Sequence, residues 1–325
     1  MTTTIEWTDT TWNPTTGCDR VSPGCDNCYA LTMAKRLKAM GSTKYQRDGD
    51  PGTSGPGFGL TAHPDTLEVP LRWSTPRRVF VNSMSDLFHA EVPDEFIARV
   101  FAVMAATPQH TYQILTKRHA RMRSVLSDVC RCGGGHAPGV HFRSQMAWAV
   151  SRANPDRVPG LSDDAERRVY HETGWPLPNV WLGVSAENQQ WADIRVPALL
   201  DTPAAVRFVS AEPMLGPIDL TPYLDLVEYQ GGEHRPDVGH IAWYGPRLGW
   251  VIVGGESGPR ARLMHLDWAR DLRDQCEAAG VPFFFKQAGS VLARRWGCTD
   301  PKGHNPDEWP EPFPRACPTH VGGAG

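Results

Sequence analysis

Nowhere in the chain does an apolar run approach the ~18 residues that a membrane-spanning helix needs, so no such span is expected. Met1–Trp7 lacks the charged-then-apolar pattern of a secretory signal, which leads to the expectation of a cytoplasmic protein with no membrane partner. An excess of one charge is also lacking. The 33 basic and 36 acidic residues leave a formal charge of −3. That balance excludes a protein that coats nucleic acid by charge alone, while allowing a local basic groove. Cysteine is too sparse for a disulfide scaffold, with eight in 325 residues. Disorder is excluded in turn, because 40% of the residues are apolar and can build a sizeable core.

What is present is a recurring unit: a short β-branched or aromatic run, a polar tip, then a helical stretch. The runs are Val79–Asn82, Tyr112–Thr116, Val180–Val184, Val206–Ser210, Trp250–Val253 and Val281–Phe285. Each is a near-continuous apolar stretch, as expected of strands buried on both faces. Helices are expected over Tyr29–Met40, Pro93–Ala106, Asn188–Leu200 with an interruption at Pro197, and Asp267–Ala279. Strands alternating with helices imply an α/β fold with a parallel sheet. About six to seven units predict a complete or partial (βα) barrel. A doubly wound open sheet is the alternative. The barrel domain spans residues 1–297, with a loop at 12–30 and an insertion at 130–178. Helices are expected in the insertion near Phe142–Arg152 and Ser162–His171. The Pro- and Gly-rich tail, 298–325, is expected to wrap the surface or move.

The cysteines are unevenly placed. Cys18, Cys25 and Cys28 fall on one loop at the spacing C-x6-C-x2-C. In a reducing compartment such a cluster binds metal or does redox chemistry more often than it forms disulfides. Three thiolates suit an iron–sulfur cluster or zinc, although structural zinc usually takes four protein ligands and no fourth lies nearby. A 4Fe–4S cluster held by three cysteines leaves one iron open to a cosubstrate. Three free buried thiols are the plain alternative. Cys130, Cys132, His136 and His141 supply the donor types of a second, zinc site. Loop solvation explains that cluster as well.

The strand ends carry polar residues in succession: Ser83, Ser85 and Asp86; Lys117 and Arg118; Ser185 and Glu187; Ser210 and Glu212; Gly254, Gly255 and Glu256; Lys286 and Gln287. In a barrel all of these meet at the C-terminal mouth, where active sites lie. Buried Glu and Lys are costly unless paired or used. The set therefore lines an active site or forms a salt-bridge network, for example one pairing Glu187 with Lys286. Lys117, Glu212, Glu256 and Lys286 are the catalytic candidates. Gly254-Gly-Glu-Ser-Gly258 lacks the patterns of a phosphate loop. His89 and His265 are isolated and read as ordinary hydrogen-bonded residues.

The segment Asn13-Pro14…Gly17-Cys18…Cys25…Cys28-Tyr29-Ala30 resembles the cluster loop of radical S-adenosylmethionine enzymes, closest to the spore-photoproduct-lyase-like branch. The usual spacing there is C-x3-C-x2-C; three further residues stand here between the first two cysteines. The longer spacing is similar to that of a phage-associated three-Cys-motif family of unknown function. Ser83-Met-Ser-Asp86-Leu-Phe88, Leu115-Thr-Lys117-Arg118, Gly254-Gly-Glu256-Ser-Gly258 and Phe285-Lys286-Gln287-Ala-Gly289 extend that match over most of the chain. The resemblance implies a 4Fe–4S cluster, reductive cleavage of S-adenosylmethionine and hydrogen abstraction from a substrate, with nucleic acid one class it allows. It assigns the cosubstrate's ammonium to Ser83, Ser85 or Asp86. By their chemistry, Ser185 and Glu187 suit its ribose, Ser210 and Glu212 the same ligand or the substrate, and Lys117, Arg118 and Lys286 a carboxylate or phosphate. Two readings without catalysis compete. One is a zinc- or cluster-stabilised nucleic-acid-binding module using Arg118–Arg123 and the tryptophans. The other is a scaffold acting with a partner protein.

Overall fold

The computed structural model describes residues 5–128, 134, 136, 139–153, 161, 164–224, 228–229, 243–244 and 247–318. Seven strands form one sheet: β1 Thr10–Trp12, β2 Arg78–Val81, β3 Thr111–Thr116, β4 Val180–Ser185, β5 Val206–Ala211, β6 Trp250–Gly254 and β7 Phe283–Gln287. They lie side by side in chain order, each parallel to the next. An order that never reverses removes the doubly wound alternative. The sheet curls into a half-barrel, so of the two barrel forms the partial one is found.

Alternation along the strands gives the sheet two different faces. Phe80, Trp181, Phe208, Trp250, Ile252 and Phe284 point into the concave side and pack with Trp7. Val79, Val81, Tyr112, Ile114, Leu182, Val184, Val209, Val251, Val253 and Phe285 point outward, against the helices. Those helices are α2 Asp94–Ala106, α3 His119–Leu126, α4 Val140–Ser151, α5 Gln189–Leu200, α6 Leu266–Ala278 and α7 Ser290–Trp296, while α1 Tyr29–Ala39 packs in a separate cluster with Tyr45, Phe58 and Met84. Asp94 and Glu95 in the first turn of α2 complement its dipole, while Phe96, Ile97, Val100, Phe101 and Met104 are buried. None of the described helices is long and apolar enough to cross a membrane.

Three expectations change. Helix α5 runs through Pro197. The proline stands in the last turn, where its missing N–H removes one intrahelical bond, and Asn188 caps the other end by accepting from the Trp191 amide at 3.3 Å. The final strand runs two residues later than Val281–Phe285, because Pro282 has no N–H to offer a ladder. Lys286 and Gln287 are thus inside β7. In the insertion, α4 is present and the second expected helix is also found, α-helical over Ala165–Arg167 and continuing as π-helix over Arg168–Glu172. The described residues of the tail, 298–318, are part of the body of the protein. Of these, Pro314–Ala316 lie along the free edge of β7, with Phe285 N donating to Pro314 O and Ala316 N to Phe283 O, both at 2.9 Å. Trp309 and Phe313 are buried, and the Phe313 ring stacks on Phe285 with centroids 4.3 Å apart.

Candidate active site at the strand ends

The inward-facing positions change character along each strand. Near the N-terminal ends they are aromatic on β2, β4, β5, β6 and β7, while β3 carries Thr111 and Gln113 there. Two to four residues later the same alternation places Lys117, Ser185, Ser210, Glu212 and Lys286 on the concave side, at the C-terminal edge. A floor of rings therefore lies beneath a polar rim. Lys286 Nζ meets Glu212 at 2.7 and 3.0 Å, a largely shielded pair. Lys117 Nζ donates to Ser185 Oγ at 3.1 Å. Ser185 and Ser210 are almost fully buried. Asp86 is also buried, and its carboxylate accepts from Thr116 Oγ1 and from the Phe88 and Lys117 amides at 2.7–3.0 Å. Asp86 thereby ties the β2 end to the β3 end. The Gly254-Gly255 pair serves close packing, since a Cβ on Gly255 would stand 2.1 Å from Ala288 O.

The cysteine loop is fastened over this rim. Asn13 Oδ1 accepts from Ser83 Oγ at 3.2 Å and Met84 N at 3.1 Å, and Thr15 bonds both Asn82 and Ser85. Ser83 and Ser85 are therefore engaged with the loop, and the Tyr29 hydroxyl donates to the Ser83 carbonyl. Farther along, Ser22 Oγ and Gly24 N donate to Glu187. Glu187 pairs with Arg195 at 3.0 Å, both side chains fully buried. Arg195, and not Lys286, is thus the ion-pair partner of Glu187. On the far side Arg262 grips Glu256 and donates to the Pro23 carbonyl at 2.8 Å, while Asn27 donates to Glu256 at 3.0 Å. Burial raises the Glu256 carboxyl, but hydrogen bonds from Arg262 and Asn27 outweigh it and hold the group below the usual range. His89 bonds Asp19, next to Cys18, at 2.8 Å.

Cys18, Cys25 and Cys28 are partly buried and none forms a disulfide. Burial pushes the Cys18 thiol up to about 12, with Asp86 adding to the rise and Arg118 opposing it. Burial also raises Cys28, against the pull of Lys117. The three thiols lie close enough for Cys25 and Cys28 to raise Cys18 by their charge. Among the described residues no group of three or more His, Cys, Asp or Glu is arranged to hold a metal ion. Cys18, Cys25 and Cys28 are the residues that could hold a metal or cluster: three sulfurs on one anchored loop, with Lys117, Arg118 and Arg195 near them, although burial outweighs the pull of those cations on Cys18 and Cys28.

All the expected strand-end residues come to one edge of the sheet. Asp86, Glu187 and Glu256 hold structure there, while Lys117, Arg118, Glu212 and Lys286 face the concave side or its rim. Arg118 Nε is buried without a hydrogen-bond partner. Arg121 and Arg123 are paired with Asp94 and Asp201, which reduces the positive charge of the Arg118–Arg123 run. Cys130 and Cys132 lie outside the described residues; His141 is exposed, 4.0 Å from Asp128. Asn13, Ser22, Asn27, Arg195 and Arg262 were not among the expected residues. Asn13 had a local signal, its place in the cluster-loop motif; the others had none.

A family profile described as "Protein of unknown function (DUF5131)" matches residues 2–307. The chain belongs to the DUF5131 family. No curated protein and no solved structure matches it. The family match spans the sheet, the cysteine loop, the insertion and the first part of the tail, so strand ends and thiols belong to one family unit.

Proposed function

We propose that this protein is an iron–sulfur enzyme of the radical S-adenosylmethionine type, acting on a substrate held at the mouth of its half-barrel. One observation carries the reading: the loop bearing Cys18, Cys25 and Cys28 is fastened across the polar C-terminal ends of a parallel sheet, where catalytic groups of such folds gather. The resemblance of the loop to the three-Cys-motif and radical enzymes points the same way. Cys18, Cys25 and Cys28 would hold a 4Fe–4S cluster with one iron open. When bound, that group supplies the electron for reductive cleavage of the cosubstrate.

The chain's own residues bind, orient and shield. Lys117 and Arg118 offer cations to a carboxylate at the rim. Glu212, steadied by Lys286 at 2.7 Å, offers a carboxylate to an ammonium or hydroxyl group. The rings of Phe208, Trp181 and Trp250 close the floor and keep water from the reacting atoms. Asp86, Glu187 and Glu256 hold the loop and strand ends in place.

Anaerobic purification with iron and sulfide analysis tests the proposal. Roughly four irons per chain and a broad charge-transfer absorbance are expected. Replacing Cys18, Cys25 or Cys28 by Ala should abolish both, while Cys276→Ala should leave them. With dithionite and S-adenosylmethionine, the loaded protein should release 5′-deoxyadenosine. Stoichiometric zinc after reconstitution, with no charge-transfer absorbance, would refute the reading.

A further inference from the structure

The loop between Cys18 and Cys25 has three residues more than the C-x3-C spacing it resembles. A longer loop closes at little extra entropic cost but samples more positions, so a cysteine at its end needs a tether. The extra length is spent on a turn, Pro23–Cys25, preceded by Ser22. Ser22 is 3% exposed and Glu187 0% exposed. Oε1 of Glu187 accepts from both Ser22 Oγ and Gly24 N, the latter at 3.2 Å. Oε2 accepts from Arg195 Nη1 at 3.0 Å. Arg195 donates again to the Ser185 carbonyl at 2.7 Å and lies 4.1 Å over the Trp191 ring. Both oxygens of Glu187 are therefore engaged, and no face of the carboxylate is left for a ribose. Gly24 is fitted to the same group, since a Cβ there would stand 2.3 Å from Oε1.

We infer that Glu187 and Arg195 are positioning residues: a buried ion-pair seat that receives the Ser22–Gly24 turn and so sets where Cys25 stands. Why that position matters rests on the cluster reading above; the seat itself does not. A buried carboxylate is tolerated only when its bonds are made, and here the loop makes two of them to Glu187; Arg195 Nε and Nη2 are buried without a hydrogen-bond partner, and its guanidinium lies against the Trp191 ring. Arg262, holding the Pro23 carbonyl from the opposite side, completes the tether. The extra residues between the first two cysteines are thus a docking element.

Hydrogen exchange resolved to the Cys18–Cys28 segment of the full-length protein, before any iron is added, tests the seat. Ser22→Ala removes a bond to an ionised acceptor, and Gly24→Ala wedges a methyl group against Oε1. Each should raise exchange at Gly24 and Cys25 by about ten- to a hundredfold, the factor that a lost charge-assisted hydrogen bond gives. Exchange in α6 should stay as in wild type, as should the effect of the control Gly174→Ala, whose Cβ meets nothing within 4 Å. Unchanged exchange at Gly24 and Cys25 in both variants, with α6 protected, would overturn the inference. If Gly24→Ala also loosens α6, Ser22→Ala decides by the same comparison. Iron and sulfide uptake forms the second arm. Poorer retention in the two variants than in wild type supports the positioning of Cys25. If wild type takes up neither element while the exchange pattern holds, the cluster reading falls and the seat stands.

Discussion

Replacing Arg195 by Met should be among the most damaging single changes in the molecule. The methionine keeps an apolar stem against Trp191, so packing is largely conserved. What is lost is the partner of a fully buried carboxylate. Glu187 would keep Ser22 and Gly24 as donors but would have no opposing charge, and the Ser185 carbonyl would lose a 2.7 Å bond. Breaking a buried pair from one side costs about 3–5 kcal/mol. At about 2 °C per kcal/mol for a chain of this size, the midpoint of thermal unfolding should fall by about 6–10 °C. The double variant Glu187→Gln with Arg195→Met removes the stranded charge and should recover about 2 kcal/mol of that loss. Urea unfolding of wild type, both single variants and the double variant measures the coupling. A cost below about 1 kcal/mol for Arg195→Met, or a double variant no more stable than Arg195→Met, would show that the carboxylate is not a buried, paired charge.

Three further outcomes follow from the packing and the rim. Gly183→Ala would place a Cβ 2.4 Å from the Phe208 ring, so overpacking of the aromatic floor should cost about 1–3 kcal/mol in urea unfolding. Phe313→Ala removes a ring stacked on Phe285 and should cost about 3–5 kcal/mol, an effect that a loose surface tail would not produce. Glu256 is held below its ordinary value of 4.5 in the folded protein, so its pairing with Arg262 stabilises fully above that pH and is lost as pH falls through the folded value. The stability gap between wild type and Glu256→Gln, followed by unfolding at stepped pH, should therefore be widest near neutrality and shrink under acid. A gap that widens as pH falls would contradict the lowered value.

Much of the site's location was legible because sheet alternation is a local property. Once Val206–Ser210 and Val180–Val184 read as strands, Phe208 and Ser210, or Trp181 and Ser185, must share a face, and polar residues at the ends must share an edge. The cysteine loop was legible for a similar reason, since three thiols on one short segment stay near one another in any fold. Roles within the edge were less legible. Asp86 and Glu187 have the composition of ligand-binding residues, yet Asp86 spends its oxygens on Thr116, Phe88 and Lys117, and Glu187 spends its own on Ser22, Gly24 and Arg195. The tail misled because Pro and Gly mark irregular backbone, which says nothing about whether rings between them are buried.

Sequence by itself determined the parallel α/β class, the order of most units, the polar mouth and the clustering of three thiols. Each depends on period, on composition or on neighbours along the chain. Tertiary structure alone decided which charge meets which. Lys286 finds Glu212 across 74 positions, Ser22 finds Glu187 across 165, and Asn27 finds Glu256 across 229. Those pairings depend on strand order, on the curl of the sheet and on where the loop comes to rest. At each strand end several partners of suitable charge are available, and only the folded geometry, by burying one pair and leaving others at the rim, selects among them.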